Sequence, residues 1–198
     1  MPVTIGAKPA GDFSNPMELL SDCHRRIERF LAVLVKVAGQ AQGGLMSAQQ
    51  KEEWLRALEY FRTAAPRHTA DEEESLFPRL RQIDRRQVQD VLAKVQELEH
   101  DHLQANDWHE KVDQLGRRWL ADGTLPREDA EHLTEMLDQL TTLYGRHLAL
   151  EDESVFPLAE SVLPAAEKSS IGVEMAQRRG LDPQRTLKQA SELGAPLK

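Results

Sequence analysis

Residues 67–78 read RHTADEEESLFP, and residues 146–157 read RHLALEDESVFP. Both segments place a glutamate four residues after a histidine, and both end in Ser, an aliphatic residue, Phe and Pro. The second segment follows the first by 79 residues, and His24 and His102 are separated by 78 residues. The chain is therefore interpreted as two similar helical hairpins, each with one histidine in its first helix and His-x-x-x-Glu in its second.

Apolar residues recur at alternating spacings of three and four in four long segments, which is the pattern of amphipathic α-helices. A composition with 5% aromatic residues and much Leu, Ala, Glu, Gln and Arg also favours helix over strand. We expect an all-α fold, an up-down-up-down four-helix bundle over residues 15–160. Residues 165–198 are more polar and are expected to form a short helical C-terminal extension, in which we see no chemistry.

Capping residues and prolines predict where the second helix begins and bends. Ser47 with Gln50 has the spacing of a capping box. Pro66 is expected to kink this helix, and Pro78 is expected to end or bend it, because proline has no N–H to donate.

The charge and the apolar runs exclude several kinds of partner. The formal net charge is -8 and the sequence pI is about 5.4, whereas nucleic acids and anionic membranes are bound through clustered Lys and Arg. The longest apolar run, residues 30–35, is too short to cross a bilayer, and residues 1–13 lack a signal-peptide pattern. Cys23 is the only cysteine, which excludes an internal disulfide. We expect a cytoplasmic protein with no nucleic-acid or membrane partner.

Polar residues with metal-binding side chains lie on the apolar stripes of all four helices. They are His24, His68, Glu72, His102, His147 and Glu151. Residues four apart on a helix face the same way, so each His-x-x-x-Glu presents an imidazole and a carboxylate to one point in the core. A buried carboxylate without a partner costs several kcal/mol, so a cation is expected there.

The donor types suit a dinuclear site. Neutral imidazole nitrogen and carboxylate oxygen, without a thiolate, favour iron, manganese or zinc over calcium or copper(I). Four histidines and two glutamates allow each metal to take two imidazoles while Glu72 and Glu151 bridge, which leaves coordination positions open for water or a small ligand.

The chain resembles the hemerythrin-like (HHE cation-binding) domains over roughly residues 15–160. The similarity is carried by residues 22–27 (DCHRRI), 68–78, 99–102 (EHDH) and 147–157, of which the doubled His-x-x-x-Glu with its Ser, aliphatic, Phe and Pro ending is the specific part. The resemblance implies a four-helix bundle with two non-haem iron ions, with manganese or zinc as alternatives. It also implies a site that meets oxygen, nitric oxide or peroxide, or that responds to iron itself.

Two positions depart from the oxygen-carrying members of that family. Those proteins have a second histidine four residues after the third-helix ligand, where this chain has Asn106. Their last carboxylate is an aspartate five residues after its histidine, whereas Glu151 follows His147 by four. A more symmetric and more open site is expected, and oxidase, peroxidase-like or sensing behaviour remain alternatives to reversible oxygen carriage.

Several other residues are possible ligands or neighbours of the predicted metal site. His109 lies on the core stripe and is an alternative ligand, or a residue that supports one, and His100 competes with His102 but falls off the stripe. Tyr144 is expected to pack in the core, with a contact to the site as the alternative. Cys23 is expected to be a packed small residue, and His132 to face solvent.

Acidic residues flank both glutamates of the predicted site. Glu73, Glu74, Asp152 and Glu153 are expected to be solvated, with the alternative that one of them orients a ligand histidine. The first functional hypothesis is a di-iron protein that binds or reacts with oxygen or a related molecule. The alternatives are an iron-responsive regulatory or storage module and a metal-free helical interaction protein.

Overall fold

The structure is a computed structural model that describes residues 12–182, except for the side chains of Arg85 and Gln87. The described residues form consecutive helical segments and no strand. The segments are α1 (Pro16–Ala41), α2 (Ala48–Thr63), α3 (Ala65–Ala70), π1 (Asp71–Leu76), α4 (Phe77–Leu80), α5 (Arg85–Asp122), α6 (Arg127–Leu150), π2 (Glu151–Val155), α7 (Phe156–Val162) and α8 (Ala165–Arg178). The predicted all-α fold is confirmed.

The four long helices form a closed bundle. Helix α1 packs against α2 and α6, and α5 packs against the same two helices. Residues 42–47, 81–84 and 123–126 connect consecutive members, and connections this short make neighbouring helices antiparallel. The up-down-up-down arrangement is therefore the one expected from the sequence.

The helix boundaries follow from capping and proline chemistry. Ser47 and Gln50 form the predicted capping box, in which each side chain bonds the backbone N–H of the other residue. The helix breaks between Thr63 and Ala65, just before Pro66, as predicted. Helix α4 continues for two residues beyond Pro78, so this proline does not end the helix there.

A wider π turn precedes Pro78 and its counterpart Pro157. The N–H of Phe77 bonds the carbonyl of Glu72, five residues back, and Phe156 bonds Glu151 in the same way. Proline donates no N–H, and its ring clashes with the carbonyl four residues back, so one extra residue per turn relieves both conflicts. The π turns were not predicted from the sequence; they contain Glu72 and Glu151, the two glutamates that were predicted to face inward.

Two apolar clusters fill the bundle. One contains Leu34, Trp54 and Trp119, near the α1–α2 connection, and the other contains Leu20 and Phe77, near the α4–α5 connection. Along α1, His24 separates residues of the second cluster from residues of the first, and His102 does the same along α5. The histidines therefore lie in a polar layer between two apolar ends.

Helix α8 packs on π1 and α1 and ends at Arg178. Gly172 leaves no room for a Cβ because the carbonyl of Phe13 lies against it. Residues 183–198 of the predicted extension lie outside the described residues. None of the helices in the described range combines the length and apolar character of a membrane span.

Candidate metal centre

The structure brings the six sequence-predicted residues into one buried group, called here the polar layer. Its members come from six helical segments: His24 of α1, His68 of α3, Glu72 of π1, His102 of α5, His147 of α6 and Glu151 of π2. None of these side chains is more than 8% exposed. The layer is therefore largely sheltered from solvent.

Glu72 lies between histidines of both hairpins. Its Oε1 is 3.2 Å from Nε2 of His68 and 3.8 Å from Nε2 of His24, and its Oε2 is 3.4 Å from Nε2 of His102. Since the two oxygens face different histidines, this carboxylate has the placement of a bridge between two cations.

Glu151 repeats this relationship from the opposite side. Its Oε2 is 3.2 Å from Nε2 of His24 and 3.3 Å from Nε2 of His147. Donor atoms of His24, His68, Glu72 and Glu151 lie within 4.8 Å of one another, and so do those of His102, His147 and Glu151. The layer thus divides into two adjacent groups that share a carboxylate.

The polar atoms of the layer are not satisfied by the described residues. Both carboxylate oxygens of Glu72 and of Glu151, and both ring nitrogens of His24 and of His68, are buried without an aligned hydrogen-bond partner among them. Burying a carboxylate this way costs several kcal/mol unless a positive charge compensates it. The donor set and its unmet charge therefore fit metal cations.

Carboxylates outside the layer support the ring nitrogens that face away from it. Oε1 of Glu73 is 2.8 Å from Nδ1 of His102, and Oδ2 of Asp152 is 3.1 Å from Nδ1 of His24. A carboxylate at Nδ1 favours the tautomer with a proton there and leaves Nε2 free to bind a metal. Of the acidic residues that were expected to be solvated, Glu73 and Asp152 thus take the alternative role.

A third carboxylate, Asp101, was missed by the sequence reasoning. Its Oδ2 is 3.4 Å from Nδ1 of His147, and its Oδ1 accepts a hydrogen bond of 2.5 Å from Arg146. The position next to His102 was the only signal for it. The 78-residue repeat puts Cys23 at the matching place in the first hairpin, and Nδ1 of His68 has no hydrogen-bond partner among the described residues. The two halves therefore differ in how they support the second-helix histidine.

Without a metal, protons supply the missing positive charge. Burial opposes protonation of His24, but Asp152, Glu151 and Glu72 raise its pKa to about 12. Burial likewise opposes protonation of His102, and Glu72 and Glu73 raise its pKa to about 10. Burial of Glu72 favours its neutral form, yet the surrounding histidines hold its pKa well below the usual range. The layer therefore favours the ionised form of Glu72.

A cavity of about 210 Å³ between α3 and α5 reaches the polar layer at His102. We call it the α3–α5 pocket; its wall includes Pro66, Thr69 and Asn106, and neither His24 nor His68 lines it. A small molecule in this pocket therefore meets the half of the layer that contains His102.

The floor of the α3–α5 pocket contains a histidine–tyrosine pair. The Tyr144 hydroxyl lies 3.0 Å from Nε2 of His109, whose ring stacks on Phe61 at 4.2 Å between centroids. Burial lowers the pKa of His109 to about 4, so its ring is neutral at pH 7 and shares a hydrogen bond with the Tyr144 hydroxyl. His109 belongs to neither donor group of the layer, and Tyr144 packs edge-on against His147, with ring centroids 6.3 Å apart.

The remaining candidate residues are not members of the layer. His100 is exposed, which agrees with the preference for His102, and the His132 side chain is 57% exposed. Cys23 is buried, as expected for a packed residue, and burial raises the pKa of its thiol.

Residues 15–159 match the Hemerythrin HHE cation binding domain family. The chain is also similar to a protein of Haemophilus influenzae (strain ATCC 51907 / DSM 11121 / KW20 / Rd) whose name is only "Uncharacterized protein". The two are 31% identical over 176 residues, which cover 84% of this chain and 91% of the relative. The family match spans all four bundle helices and both π turns.

Proposed function

The chain belongs to the hemerythrin HHE cation-binding family, and on that basis we propose that it is a non-haem di-iron protein. In this proposal the polar layer holds two iron ions and binds or reacts with oxygen or a related small molecule, such as nitric oxide or peroxide. The observation that carries the proposal is the set of four carboxylate oxygens, from Glu72 and Glu151, buried without hydrogen-bond partners among four imidazoles.

In this proposal, the two donor groups supply the ligands. His24 and His68 would hold one ion, His102 and His147 would hold the other, and Glu72 and Glu151 would bridge them. Two imidazole nitrogens and two carboxylate oxygens for each ion would leave coordination positions of iron open. Two iron ions bound this way supply redox chemistry and places for a small ligand.

The described residues give the proposed ligand a route and an environment. The α3–α5 pocket leads to His102, and its polar wall includes Glu73, Asn106 and the His109–Tyr144 pair. Tyr144 keeps its proton at neutral pH because burial raises the pKa of its hydroxyl. The pocket therefore suits a small, weakly polar molecule that approaches one side of the layer.

Metal analysis after anaerobic reconstitution with ferrous iron tests the proposal. About two irons per chain is the expected result, followed by a new visible absorption band on exposure to air, nitric oxide or peroxide. Iron that binds without any spectral response to these molecules, but strongly raises the melting temperature, would favour an iron-responsive regulatory or storage module. A folded, colourless protein that binds no metal would overturn the proposal and favour a structural role.

A further inference from the structure

Two consecutive arginines at the end of α8, Arg178 and Arg179, form ion pairs with the buried Asp71 of π1. Nη1 of Arg178 is 2.9 Å from Oδ1 of Asp71, and Nη2 of Arg179 is 2.6 Å from Oδ2. Asp71 is fully buried, so both of its oxygens depend on these guanidinium groups for compensation. We call this contact, of Asp71 with Arg178 and Arg179, the Asp71 latch.

The latch acts on the segment that presents Glu72. Asp71 directly precedes Glu72, and Arg178 also donates to the Ser75 hydroxyl at 2.8 Å, on the other side of that glutamate. Arg179 lies beside the Cys23 thiol, next to His24. The end of α8 therefore contacts π1 before and after Glu72, and contacts α1 next to another member of the polar layer.

A second charged contact fastens the middle of α8 to the same hairpin. Arg79 of α4 forms hydrogen bonds of 2.7 and 3.0 Å with the Glu174 carboxylate and one of 2.7 Å with Glu167. It also donates to the carbonyl of Ser75 at 2.8 Å. Both ends of π1 are thus tied to α8 by charge-assisted hydrogen bonds.

Within residues 12–182, the second hairpin has no counterpart to this latch. The repeat aligns Asp71 with Leu150, which carries no charge to pair. A π turn is rare and occurs mostly as a single turn inside an α-helix, so we expect its conformation to depend on tertiary contacts. In the first hairpin, α8 supplies those contacts.

We infer that α8 is a working part of the metal centre, because the Asp71 latch fixes π1 in the conformation that places Glu72 between His68 and His102. Asp71, Arg178 and Arg179 are positioning residues, since they act through Glu72 and touch no proposed ligand atom. A bridging carboxylate must be held to within a fraction of an ångström, so loosening π1 weakens metal binding. By thermodynamic linkage, bound metal must in turn stabilise the docking of α8. The inference rests on the proposed function only in requiring that the polar layer bind metal.

Calorimetric titration of the full chain with ferrous iron, without oxygen, tests the first half of the inference. R178Q/R179Q and D71N should each lower iron affinity about tenfold, the size of effect seen when residues that support metal ligands are removed. R178K/R179K, which keeps the charge, should recover part of the loss. The matched control is K168Q, because Lys168 of α8 contacts Glu160 of α7 and not π1; its affinity should equal that of the wild type.

Hydrogen exchange of residues 165–178 tests the second half. Iron should slow exchange in this segment of the wild type and of K168Q, but not of R178Q/R179Q. D71N removes only the charge of one side chain and keeps its size, so it serves if the double variant does not fold.

The outcomes separate this inference from the proposed function. Latch variants that melt at a lower temperature yet bind iron with wild-type affinity would show a purely structural contact and overturn the inference, while the proposed function stands. Wild-type protein that binds no iron would overturn both.

Discussion

Asp152 and His24 come from opposite hairpins, yet Oδ2 of Asp152 lies 3.1 Å from Nδ1 of His24. The pairing is reciprocal, because Glu73 of the first hairpin lies 2.8 Å from Nδ1 of His102 of the second. Each hairpin thus orients a histidine that the other supplies. The polar layer is complete only when the two hairpins are packed together.

Removing either crossed carboxylate should weaken metal binding. E73Q and D152N should each lower iron affinity by about tenfold, because the imidazole loses the partner that fixes its tautomer and orientation. Anaerobic titration with ferrous iron measures this. E153Q is the control, since Glu153 is exposed beside Asp152. Equal affinities for all three variants and the wild type would refute the supporting role.

Removing either bridging glutamate should have a larger effect. E72A and E151A should lose most of the bound iron, because each truncation removes a donor shared by both ions. H109A should keep nearly all of its iron, because His109 belongs to neither donor group. Elemental analysis of the reconstituted variants decides the matter; full occupancy in both glutamate variants would exclude the bridging assignment.

The buried His109 should make the metal-free protein less stable in acid. Its folded pKa of about 4 lies below the ordinary value of 6.5, so between these values the unfolded state binds more protons. The stability that the neutral ring contributes is present above pH 6.5 and is lost as the pH falls toward 4.

The variant H109Q isolates this contribution. When the pH is lowered from 7 to 5, the free energy of unfolding should fall in both proteins, and the decrease should be about 1 to 2 kcal/mol smaller in H109Q than in the wild type. Denaturant titrations at both pH values measure the difference, in which the shared carboxylates and histidines cancel. Parallel pH profiles for the two proteins would contradict the prediction.

Narrowing the α3–α5 pocket should slow ligand access without removing metal. Thr69 lines this pocket, so T69F should reduce the rate at which nitric oxide binds the ferrous protein several-fold while its iron content stays unchanged. T142F, at an exposed position of α6, is the matched control. Stopped-flow absorption gives the rates; an unchanged rate in T69F would mean that ligands enter elsewhere.

The sequence predicted the fold and the six members of the polar layer because both depend on periodicity. A helix repeats every 3.6 residues, so the apolar stripe of each helix faces the core. Polar residues on the stripes of four helices, such as His24 and His102, were therefore expected to meet in the core. The capping box of Ser47 followed from local chemistry as well. Whether the six residues bind iron stays a prediction.

The residues that support the layer could not be predicted in the same way. Asp71 and Asp101 are buried, and both have partners that are distant in sequence. Asp71 pairs with Arg178 and Arg179, and Asp101 pairs with His147. A π turn also rotates the residues that follow it, which a constant 3.6-residue period does not represent. Polar contacts between distant segments and local changes of helical pitch therefore required the structure.

The two apolar clusters give the bundle a mechanical consequence. Each cluster closes one end of the bundle. If the layer between them holds metal ions as proposed, loss of an ion would remove charge compensation there and leave both hydrophobic ends intact. The packing of the polar layer could then loosen while both apolar clusters stay packed. The proposed ions would then exchange through local opening of the polar layer, at a far smaller cost in free energy than unfolding the chain.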